Sequence, residues 1–466
     1  MNRINALAAA VIRGRQQFET IMDSSSYRSF NTEELYDLRW SEPPEEGEEN
    51  RQLRLDTRQP EGSGEKEGAA PITGRIGAAD NLDYMVWLLK HEDMAGKIQL
   101  IYVDPPFFSG TRYHASVQVS TERLGKSPVI RTGAYDDKWG SSLEEYLSML
   151  AVRFYLMREL LADTGSLWVH LDWHGSHYVK MMLDEIFGHD RFVNEVIWTY
   201  KSGGASGRAF AKKHDTLLFY AKTGDYLFHP SKEKSYNREG KAYRFKGVEE
   251  FEDEGGWYTM VNMKDVWSID MVGRTSSERM GYATQKPEKL VERIVQACSN
   301  PGDLCADFFA GTGTLGAVCS RLGRPWVMCD EGQVAVADQI SRMTSREGSF
   351  AVERPESPAS DGGAQRSGPE AEIVREENRL YLKDYRPDLA LVREKDRETV
   401  FRYMEDDGLC LVRFWSVDTD ADDAKATHEG RKLLSGGDIC TLPEDKVNGI
   451  SIVGYDVFGG RFQWRE

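Results

Sequence analysis

The sequence lacks several patterns that would assign it to common protein classes. No run of 18 apolar residues occurs in the 466 residues, which argues against a membrane-spanning helix. The N-terminus has only a short apolar stretch without a clear cleavage site, so we expect no secretory signal. The six cysteines show no C-x-x-C spacing, which disfavours a zinc knuckle or a disulfide framework and fits a reducing cytoplasm.

The chain also lacks an overall excess of positive charge, since 76 Asp and Glu residues outnumber 59 Lys and Arg residues for a net charge of −17. Contact with nucleic acid depends on the local field rather than on this sum. The stretch between Trp198 and Lys246 contains eleven Lys and Arg residues and four acidic ones, a local net charge of +7, and aromatic residues are interleaved. This pattern favours DNA contact, and a solvated face over a core is the alternative. The candidate DNA-contacting residues are Lys201, Arg208, Lys212, Lys213, Arg274 and Arg279.

Two stretches poor in large apolar residues divide the chain. Ser41–Gly74 is rich in Glu, Gly and Pro, and Ser345–Glu370 has a similar composition. We therefore predict an N-terminal extension with an acidic linker (1–74), a central domain (75–344), a disordered linker (345–370) and a small α+β C-terminal module (371–466). In the central domain, short apolar runs alternate with helical patterns, which indicates a mostly parallel α/β sheet.

The first chemical motif is Asp104-Pro105-Pro106-Phe107, which follows the apolar run of a predicted strand. Open α/β sheets bind ligands at this end of their strands. The prolines remove two N–H donors, so the loop offers carbonyl oxygens, a carboxylate and an aromatic face. Such a set suits an exocyclic amino group. The alternative is a proline-terminated strand with a solvated aspartate.

The second motif is a glycine-rich turn between a predicted strand and a helix, running from Asp307 to Thr314. Gly311, Gly313 and Gly316 satisfy G-x-G-x-x-G and allow close approach of a cofactor to the backbone. Asp330 ends the next strand, where a carboxylate can accept both ribose hydroxyls of a nicotinamide dinucleotide or of S-adenosylmethionine. A turn that only packs the helix is the alternative.

The third motif, Tyr282–Glu288, reads YATQKPE and precedes a helix. The three motifs in this order resemble the β class of amino-methylating DNA methyltransferases, in their adenine-specific, type III Mod-like branch. The resemblance runs from about Gly74 to Met343 and includes the stretches IGAADNLDYMVWLL and GSLWVHLDWHGSHYVKMMLDEIFG. It implies a Rossmann-like, S-adenosylmethionine-dependent fold in which the catalytic motif precedes the cofactor motif.

The resemblance further implies how the site residues are used. Asp104 and the Pro105 carbonyl would accept hydrogen bonds from the amino group of a flipped adenine, and Phe107 would stack on it. Asp330 would hold the cofactor's ribose, Asp80 would approach its adenine, and Lys286 or Thr284 its methionine end. The full set implied to hold the cofactor is Asp80, Asn81, Thr284, Lys286, Asp307, Phe309, Gly311, Thr312, Gly313 and Asp330.

By the same resemblance, residues 225–280 contain the target-recognition insertion. The implied partner is double-stranded DNA, and the resemblance also points to a homodimer and to a restriction or helicase subunit. The expected activity is methylation of adenine N6 in a restriction–modification or defence system. Two departures from the family are Phe107, where tyrosine is commonest, and Ala79, where glycine is usual.

The sequence also bears on other activities. The chain has no Pro-Cys pair, which disfavours methylation of the cytosine ring carbon. Methylation of cytosine N4 and a non-catalytic DNA-recognition subunit stay open as alternatives. His170, Asp172, His174 and His177 suggest a metal site, but no further ligand motif follows them, so we expect no metal.

Overall fold

The computed structural model describes eleven segments of the chain. They are residues 2–38, 72–138, 142–201, 207–273, 275–282, 284–346, 348–356, 368–418, 427–429, 439–442 and 449–466. Arg274 and most of the stretch Ser41–Gly74 therefore lie outside the described residues. None of the helices within these segments is long and apolar enough to cross a membrane.

Eight α-helices are formed by the described residues. They are α1 (Arg3–Asp23), α2 (Asn81–Lys90), α3 (Leu143–Leu160), α4 (Ser176–Phe187), α5 (Glu288–Cys298), α6 (Thr314–Arg321), α7 (Gln333–Met343) and α8 (Glu394–Asp407).

The strands of the first half of the chain include the predicted central strands. They are β1 (Phe30–Leu38), β2 (Gly74–Ala78), β3 (Ile98–Val103), β4 (Arg112–Val117), β5 (Ser120–Thr121), β6 (Gly125–Lys126), β7 (Ile130–Asp136), β8 (Leu161–Leu171), β9 (Phe192–Thr199) and β10 (His214–Ala221).

The remaining strands belong to the insertion, the rest of the central sheet and the C-terminal part. They are β11 (Lys232–Tyr236), β12 (Phe251–Asp253), β13 (Gly256–Asn262), β14 (Val266–Ser268), β15 (Cys305–Asp307), β16 (Trp326–Asp330), β17 (Gly348–Pro355), β18 (Glu370–Glu376), β19 (Arg379–Arg386), β20 (Val412–Asp418), β21 (Thr427–Glu429), β22 (Ile439–Thr441), β23 (Ser451–Asp456) and β24 (Arg461–Arg465).

A large mixed sheet forms the centre of the molecule, with strand order β14-β9-β10-β8-β3-β15-β16-β2-β17-β1-β21 among the described strands. The six strands from β8 to β17 in this order pair in parallel. Every residue of β3 is buried, as expected for a parallel strand with both faces covered. One hydrophobic cluster joins α1–α4 to one face, and another joins α5–α7 to the other face. This arrangement confirms the predicted Rossmann-like α/β fold, with the strand of the Asp104 motif earlier in the chain than the strand of the glycine-rich turn.

Two boundaries predicted from composition differ from the structure. Residues 345–370 were expected to form a linker, but Gly348–Pro355 is β17 and pairs in parallel with β2. Only three apolar residues in succession, Phe350, Ala351 and Val352, mark this strand, because polar and proline residues surround them. Likewise, β1 lies within the predicted N-terminal extension, yet it pairs with β17 and so belongs to the central sheet.

The C-terminal part folds into two small sheets, ordered β18-β19-β22 and β20-β23-β24, and α8 packs beside them. It is joined to the central sheet by a buried polar cluster around Glu34 of β1. The Glu34 carboxylate accepts hydrogen bonds from Tyr36 (2.8 Å), Tyr455 (2.6 Å) and Arg461 (2.8 Å). A fully buried carboxylate needs such partners, so this cluster ties the first strand of the sheet to the last two strands of the chain.

Helix α1 packs closely on α3 through Gly14. A Cβ at this position would overlap the Cβ of Ala151 and lie 3.1 Å from the backbone nitrogen of Val152. Helix propensity alone predicts that Gly14→Ala stabilises the protein by about 1 kcal/mol, whereas overpacking costs about 1–3 kcal/mol. We expect overpacking to dominate and Gly14→Ala to lower the free energy of unfolding, measured by chemical denaturation.

The matched control is Gly133→Ala, where an added Cβ meets no atom within 4 Å. An unchanged or raised stability of Gly14→Ala relative to this control would show that α1 is not closely packed on α3 in solution.

Candidate active site

Carboxylates end three adjacent parallel strands of the sheet. Asp104 follows β3, Asp307 is the last residue of β15, and Asp330 is the last residue of β16. These strands are neighbours in the sheet, so the three side chains meet at one edge. All three line one cavity of about 620 Å³. Its size is within the range of about 300–1,000 Å³ typical of small-molecule sites.

The two oxygens of Asp104 have different environments. Oδ2 forms an ion pair with the ammonium of Lys286, whose side chain is only 9% exposed. Oδ1 is buried and has no hydrogen-bond partner among the described residues. Leaving a buried acceptor unpaired costs about 1–3 kcal/mol or more. The site therefore holds an oriented acceptor ready for a donor that enters the cavity.

The loop after Asp104 is held in place by Asp137, whose side chain is fully buried. Its carboxylate accepts hydrogen bonds from the backbone N–H of Phe108 (3.1 Å) and from the N–H and hydroxyl of Ser109 (both 2.6 Å). These bonds stabilise Phe108 at a φ of 64°, a left-handed conformation that is unfavourable for a bulky residue. Tyr146 of α3 donates to the Pro106 carbonyl at 2.8 Å and fixes the loop from the helical side.

Behind Phe107 lies a buried chain of polar side chains. His170 stacks against the Phe107 ring with a centroid distance of 6.0 Å. Its Nδ1 lies 3.0 Å from the Tyr102 hydroxyl and its Nε2 lies 3.2 Å from Asp215, which also accepts from Tyr200 at 3.1 Å. Although burial opposes ionisation of Asp215, the contacts with His170 and Tyr200 bring its pKa below the ordinary value. This chain forms a rigid support for the Phe107 ring.

The residues that suggested a metal site are used differently. His170 points inward to Tyr102 and Asp215, while Asp172 contacts the Nδ1 of His174 at 2.7 Å. Burial raises the pKa of Asp172. Among the described residues, no group of three or more His, Cys, Asp or Glu side chains is arranged to hold a metal ion.

The glycine-rich turn is bound to Asp330. Gly311 and Gly313 adopt φ values of 49° and 75°, the left-handed region that favours glycine. The N–H of Gly311 donates to Oδ2 of Asp330 and the N–H of Gly332 to Oδ1, each at 2.9 Å. Burial outweighs these bonds and raises the pKa of Asp330 to about 6. Burial also raises the pKa of Asp307, which accepts a hydrogen bond from the Phe309 N–H at 2.9 Å.

Asp80 and Asn81 lie at the start of α2 and line the same cavity as Lys286. Asp80 caps α2 by accepting from the Leu82 N–H at 2.7 Å, and it also accepts from Arg153 of α3 at 2.8 Å. Asn81 donates to the Phe308 carbonyl at 2.6 Å and so joins α2 to the glycine-rich turn. The sequence reading missed Arg153, which lies within an apolar helical stretch without a motif of its own.

The segment before α5 reaches the cavity through Thr284 and Lys286. The Lys286 ammonium, however, contacts Asp104 and lies 5.2 Å from the Phe107 ring centroid. Gln285, which lies between Thr284 and Lys286 in the chain, accepts from the Met280 N–H at 2.8 Å and donates to the Glu278 carbonyl at 2.5 Å. These two bonds fix the preceding turn. Phe309 and Thr312 also line the cavity. All ten residues expected to hold a cofactor lie in or beside the cavity: nine line it and Gly313 caps the adjoining α6.

Basic residues of the predicted DNA-contacting set lie on the surface. Lys201, Arg208, Lys212 and Arg279 are exposed and Lys213 is half-buried. The Lys212 ammonium lies 3.6 Å from the ring centroid of Trp173, a half-exposed residue that follows β8 at the same sheet edge as Asp104. Phe210, beside them in the chain, is 98% exposed.

Comparison with known proteins gives the family. A family model described as DNA methylase, of the N6/N4 type, matches residues 98–341, more than half of the chain. The chain belongs to the N6/N4 DNA methylase family. The matched segment contains Asp104, Lys286, Asp307 and Asp330.

One curated relative is similar to about half of the chain. The type II methyltransferase M.EcaI of Enterobacter cloacae is 27% identical over 306 residues, which cover 53% of this chain and 64% of that protein, just under two thirds of its length.

Two solved structures are similar to part of the chain. A putative DNA modification methylase of Thermus thermophilus, complexed with S-adenosyl-L-methionine, is 17% identical with a TM-score of 0.37 and covers 62% of this chain and 100% of its own. The cytosine-N4-specific PvuII DNA methyltransferase is 16% identical with a TM-score of 0.38 and covers 58% and 86%, respectively.

Replacing Asp137 tests how the loop after Asp104 is held. Asp137→Ala leaves the N–H groups of Phe108 and Ser109 without their acceptor, and we expect it to lower the free energy of unfolding by about 1–3 kcal/mol. Loop residues 105–109 should exchange amide hydrogens faster, measured by hydrogen exchange with mass spectrometry. Ser109→Ala, which removes one hydroxyl and keeps both N–H bonds, is the control. Equal exchange in the two variants would contradict the role of Asp137.

Proposed function

We propose that the protein is a site-specific DNA methyltransferase that transfers a methyl group from S-adenosyl-L-methionine to the N6 amino group of adenine. The proposal depends above all on the unpaired Oδ1 of Asp104, a buried acceptor beside Phe107 in a cavity that also contains the glycine-rich turn and Asp330. Family membership and the resemblance to the adenine-methylating branch support it.

The cavity fits S-adenosyl-L-methionine in its donor set. Asp330 keeps free lone pairs on both oxygens beyond the N–H groups of Gly311 and Gly332, so it is suited to accept two ribose hydroxyls. The left-handed turn at Gly311 lets a ligand approach the backbone. Carboxylates at the ends of three strands and Asp80 at the start of α2 give the cavity a negative character that suits a cationic sulfonium. When bound, this cofactor supplies an electrophilic methyl group.

The chain's own residues then prepare the acceptor base. Adenine must leave the stack to reach the cavity, which costs a few kcal/mol, and stacking on Phe107 offsets this cost by about 1–3 kcal/mol. Asp104 Oδ1 accepts a hydrogen bond from the amino group and the Pro105 carbonyl accepts a second. These bonds favour a pyramidal nitrogen with its lone pair available for attack. Lys286 and the buried chain behind Phe107 keep both groups in position before the base arrives.

The basic surface near Trp173 supplies the DNA contact. Lys201, Arg208, Lys212 and Lys213 precede or flank β10 at the edge of the sheet where Asp104 lies, so phosphates bound there bring the target base towards the cavity. The small sheet β11-β13-β12 lies within the predicted target-recognition insertion, and Arg279 follows it. We place the enzyme in a restriction–modification system, with homodimerisation or a restriction or helicase subunit as further parts of the proposal.

Loss of the Asp104 carboxylate should strongly slow methyl transfer. We expect Asp104→Ala to lower the methylation rate on the order of 10²-fold or more, because an acceptor aimed at the amino group is removed. The measurement is methylation-sensitive sequencing of DNA from cells that express each variant. Asp163→Ala, at an 87% exposed carboxylate near the start of β8, is the matched control.

The base that carries the methyl group distinguishes the alternatives. N6-methyladenine at one short motif with the parent and the control, but not with Asp104→Ala, is the expected result. Detection of N4-methylcytosine instead would show that the target base is cytosine and not adenine. DNA binding without any methylation in the parent would make the chain a recognition subunit.

Cofactor affinity should depend on the protonation of Asp330. Because its pKa is raised to about 6, the carboxylate is charged above this pH and neutral below it. The neutral form is a weaker acceptor for ribose hydroxyls, so the Kd for S-adenosyl-L-methionine should be constant above about pH 7 and rise as the pH falls through about 6. Calorimetry from about pH 5 to 8 measures this. Asp330→Asn should bind more weakly and show a flatter profile, and parallel profiles would reject the assignment.

A further inference from the structure

The C-terminal module, defined as the described residues from 368 to 466, contributes no side chain to the cavity lining, yet it contacts elements on two sides of it. One of these elements is α7, which starts after Asp330. The other is the hairpin formed by β4 and β7, whose tip carries the short strands β5 and β6.

On the α7 side, the module contributes an ion pair and a close backbone contact. Arg413 of β20 pairs with Asp338, whose side chain is only 1% exposed. Gly459 packs so tightly on the first turn of α7 that a Cβ would lie 2.6 Å from the backbone of Gln333 and Val334. A buried carboxylate that loses its partner is strongly destabilised, so Arg413 fixes the position of α7 against the module.

Helix α7 in turn holds the glycine-rich turn. The N–H of Gly332, just before the helix, donates to Asp330 at 2.9 Å. Gln339, next to Asp338, donates to the Gly311 carbonyl at 2.9 Å. A displacement of α7 therefore moves Asp330 and Gly311, which face the ribose in the proposed function.

On the other side, the module holds the tip of the hairpin. The Tyr403 hydroxyl of α8 donates to the Gly125 carbonyl at 3.1 Å, and Thr121 donates to Asp406 at 2.5 Å. Val117 and Ile130 of the hairpin belong to the same hydrophobic cluster as the core of the module. Two-stranded hairpins are marginally stable by themselves, so these contacts decide how well this one is ordered.

The base of the hairpin forms part of the cavity wall. Ala134 and Tyr135 line the cavity, and Tyr113 stacks on Tyr135 with a centroid distance of 4.7 Å. Ala115 pairs with Tyr282 and forms one small cluster with the first residues of α7. The hairpin and α7, which the module contacts away from the cavity, thus meet beside the cavity.

We propose that the C-terminal module is a brace that fixes the spacing between α7 and the hairpin and thereby sets the affinity for the cofactor, with Arg413 as a positioning residue. The inference rests on the proposed function, because it takes the ligand of this cavity to be S-adenosyl-L-methionine. Coupling of this kind between a site and a contact outside it is typically worth a factor of about 5–150 in affinity.

The test uses the full chain and two independent sets of variants. Arg413→Met removes the charge at α7, and Arg413→Lys restores it. The double variant Thr121→Val, Tyr403→Phe removes three hydrogen bonds at the hairpin tip, one of them from the Leu124 N–H to Thr121, and leaves Arg123 3.4 Å from the Asp406 carboxylate. Binding of S-adenosyl-L-methionine is measured by calorimetry without DNA. We expect Arg413→Met and the double variant to raise the Kd about 5-fold or more, and Arg413→Lys to recover much of the loss.

A control and a second measurement separate positioning from loss of stability. Arg375→Met removes a half-exposed ion pair with Glu466 in the same module, away from both walls, and should leave the Kd unchanged. At saturating cofactor, kcat of the hairpin double variant should stay within about twofold of the parent, because only binding is weakened.

Each further outcome has one meaning. An unchanged Kd in the hairpin double variant and in folded Arg413→Met, with only a lower melting temperature, overturns the brace and leaves the proposed function intact. Should Arg413→Met fail to fold, the hairpin double variant decides alone. A parent protein that does not bind S-adenosyl-L-methionine overturns the brace together with the cofactor of the proposed function.

Discussion

Placing several carboxylates around one cavity is electrostatically unfavourable, and the structure offsets the cost at each position with a different partner. Cationic side chains serve two of the carboxylates, and backbone N–H groups serve the other two. The pairs are Asp80 with Arg153, Asp104 with Lys286, Asp307 with the Phe309 N–H, and Asp330 with the N–H groups of Gly311 and Gly332. Compensation is incomplete, since burial still raises the pKa of Asp307 and Asp330. The ends of the parallel strands, the starts of the helices and the turn before α5 all supply carboxylates or their partners around this cavity.

The parts of the site with local signals were predictable from sequence. A buried parallel strand is a continuous apolar run, so the strands before Asp104 and Asp330 could be recognised, and left-handed turns require glycine at Gly311 and Gly313. The family resemblance supplied the roles. Arg153 and Asp137 gave no such signal, because each acts through partners 28–73 residues away that only the packing of helices and loops brings near.

Composition predicted the domain boundaries less well than the apolar runs predicted the central strands. β17 has only three consecutive apolar residues, ends in proline and lies among polar residues, yet β2 and β1 pair with its two edges. Pairing with neighbours, rather than its own apolar content, makes it a strand. Overall composition is an equally poor guide to the surface charge. The chain has a net charge of −17, yet a basic stretch lies beside the edge of the sheet that carries Asp104.

The buried cluster around Glu34 has a consequence for how the chain reaches its native state. Glu34 and Arg461 are 427 residues apart in the sequence, and β1 pairs with β17, which follows it only after most of the central domain. Contacts of such high sequence separation form late, because a large loop must close first. During synthesis Glu34 therefore lacks its partners Tyr455 and Arg461 until β23 and β24 are made. One edge of β2 also stays unpaired until β17 is made, and an unpaired strand edge favours aggregation.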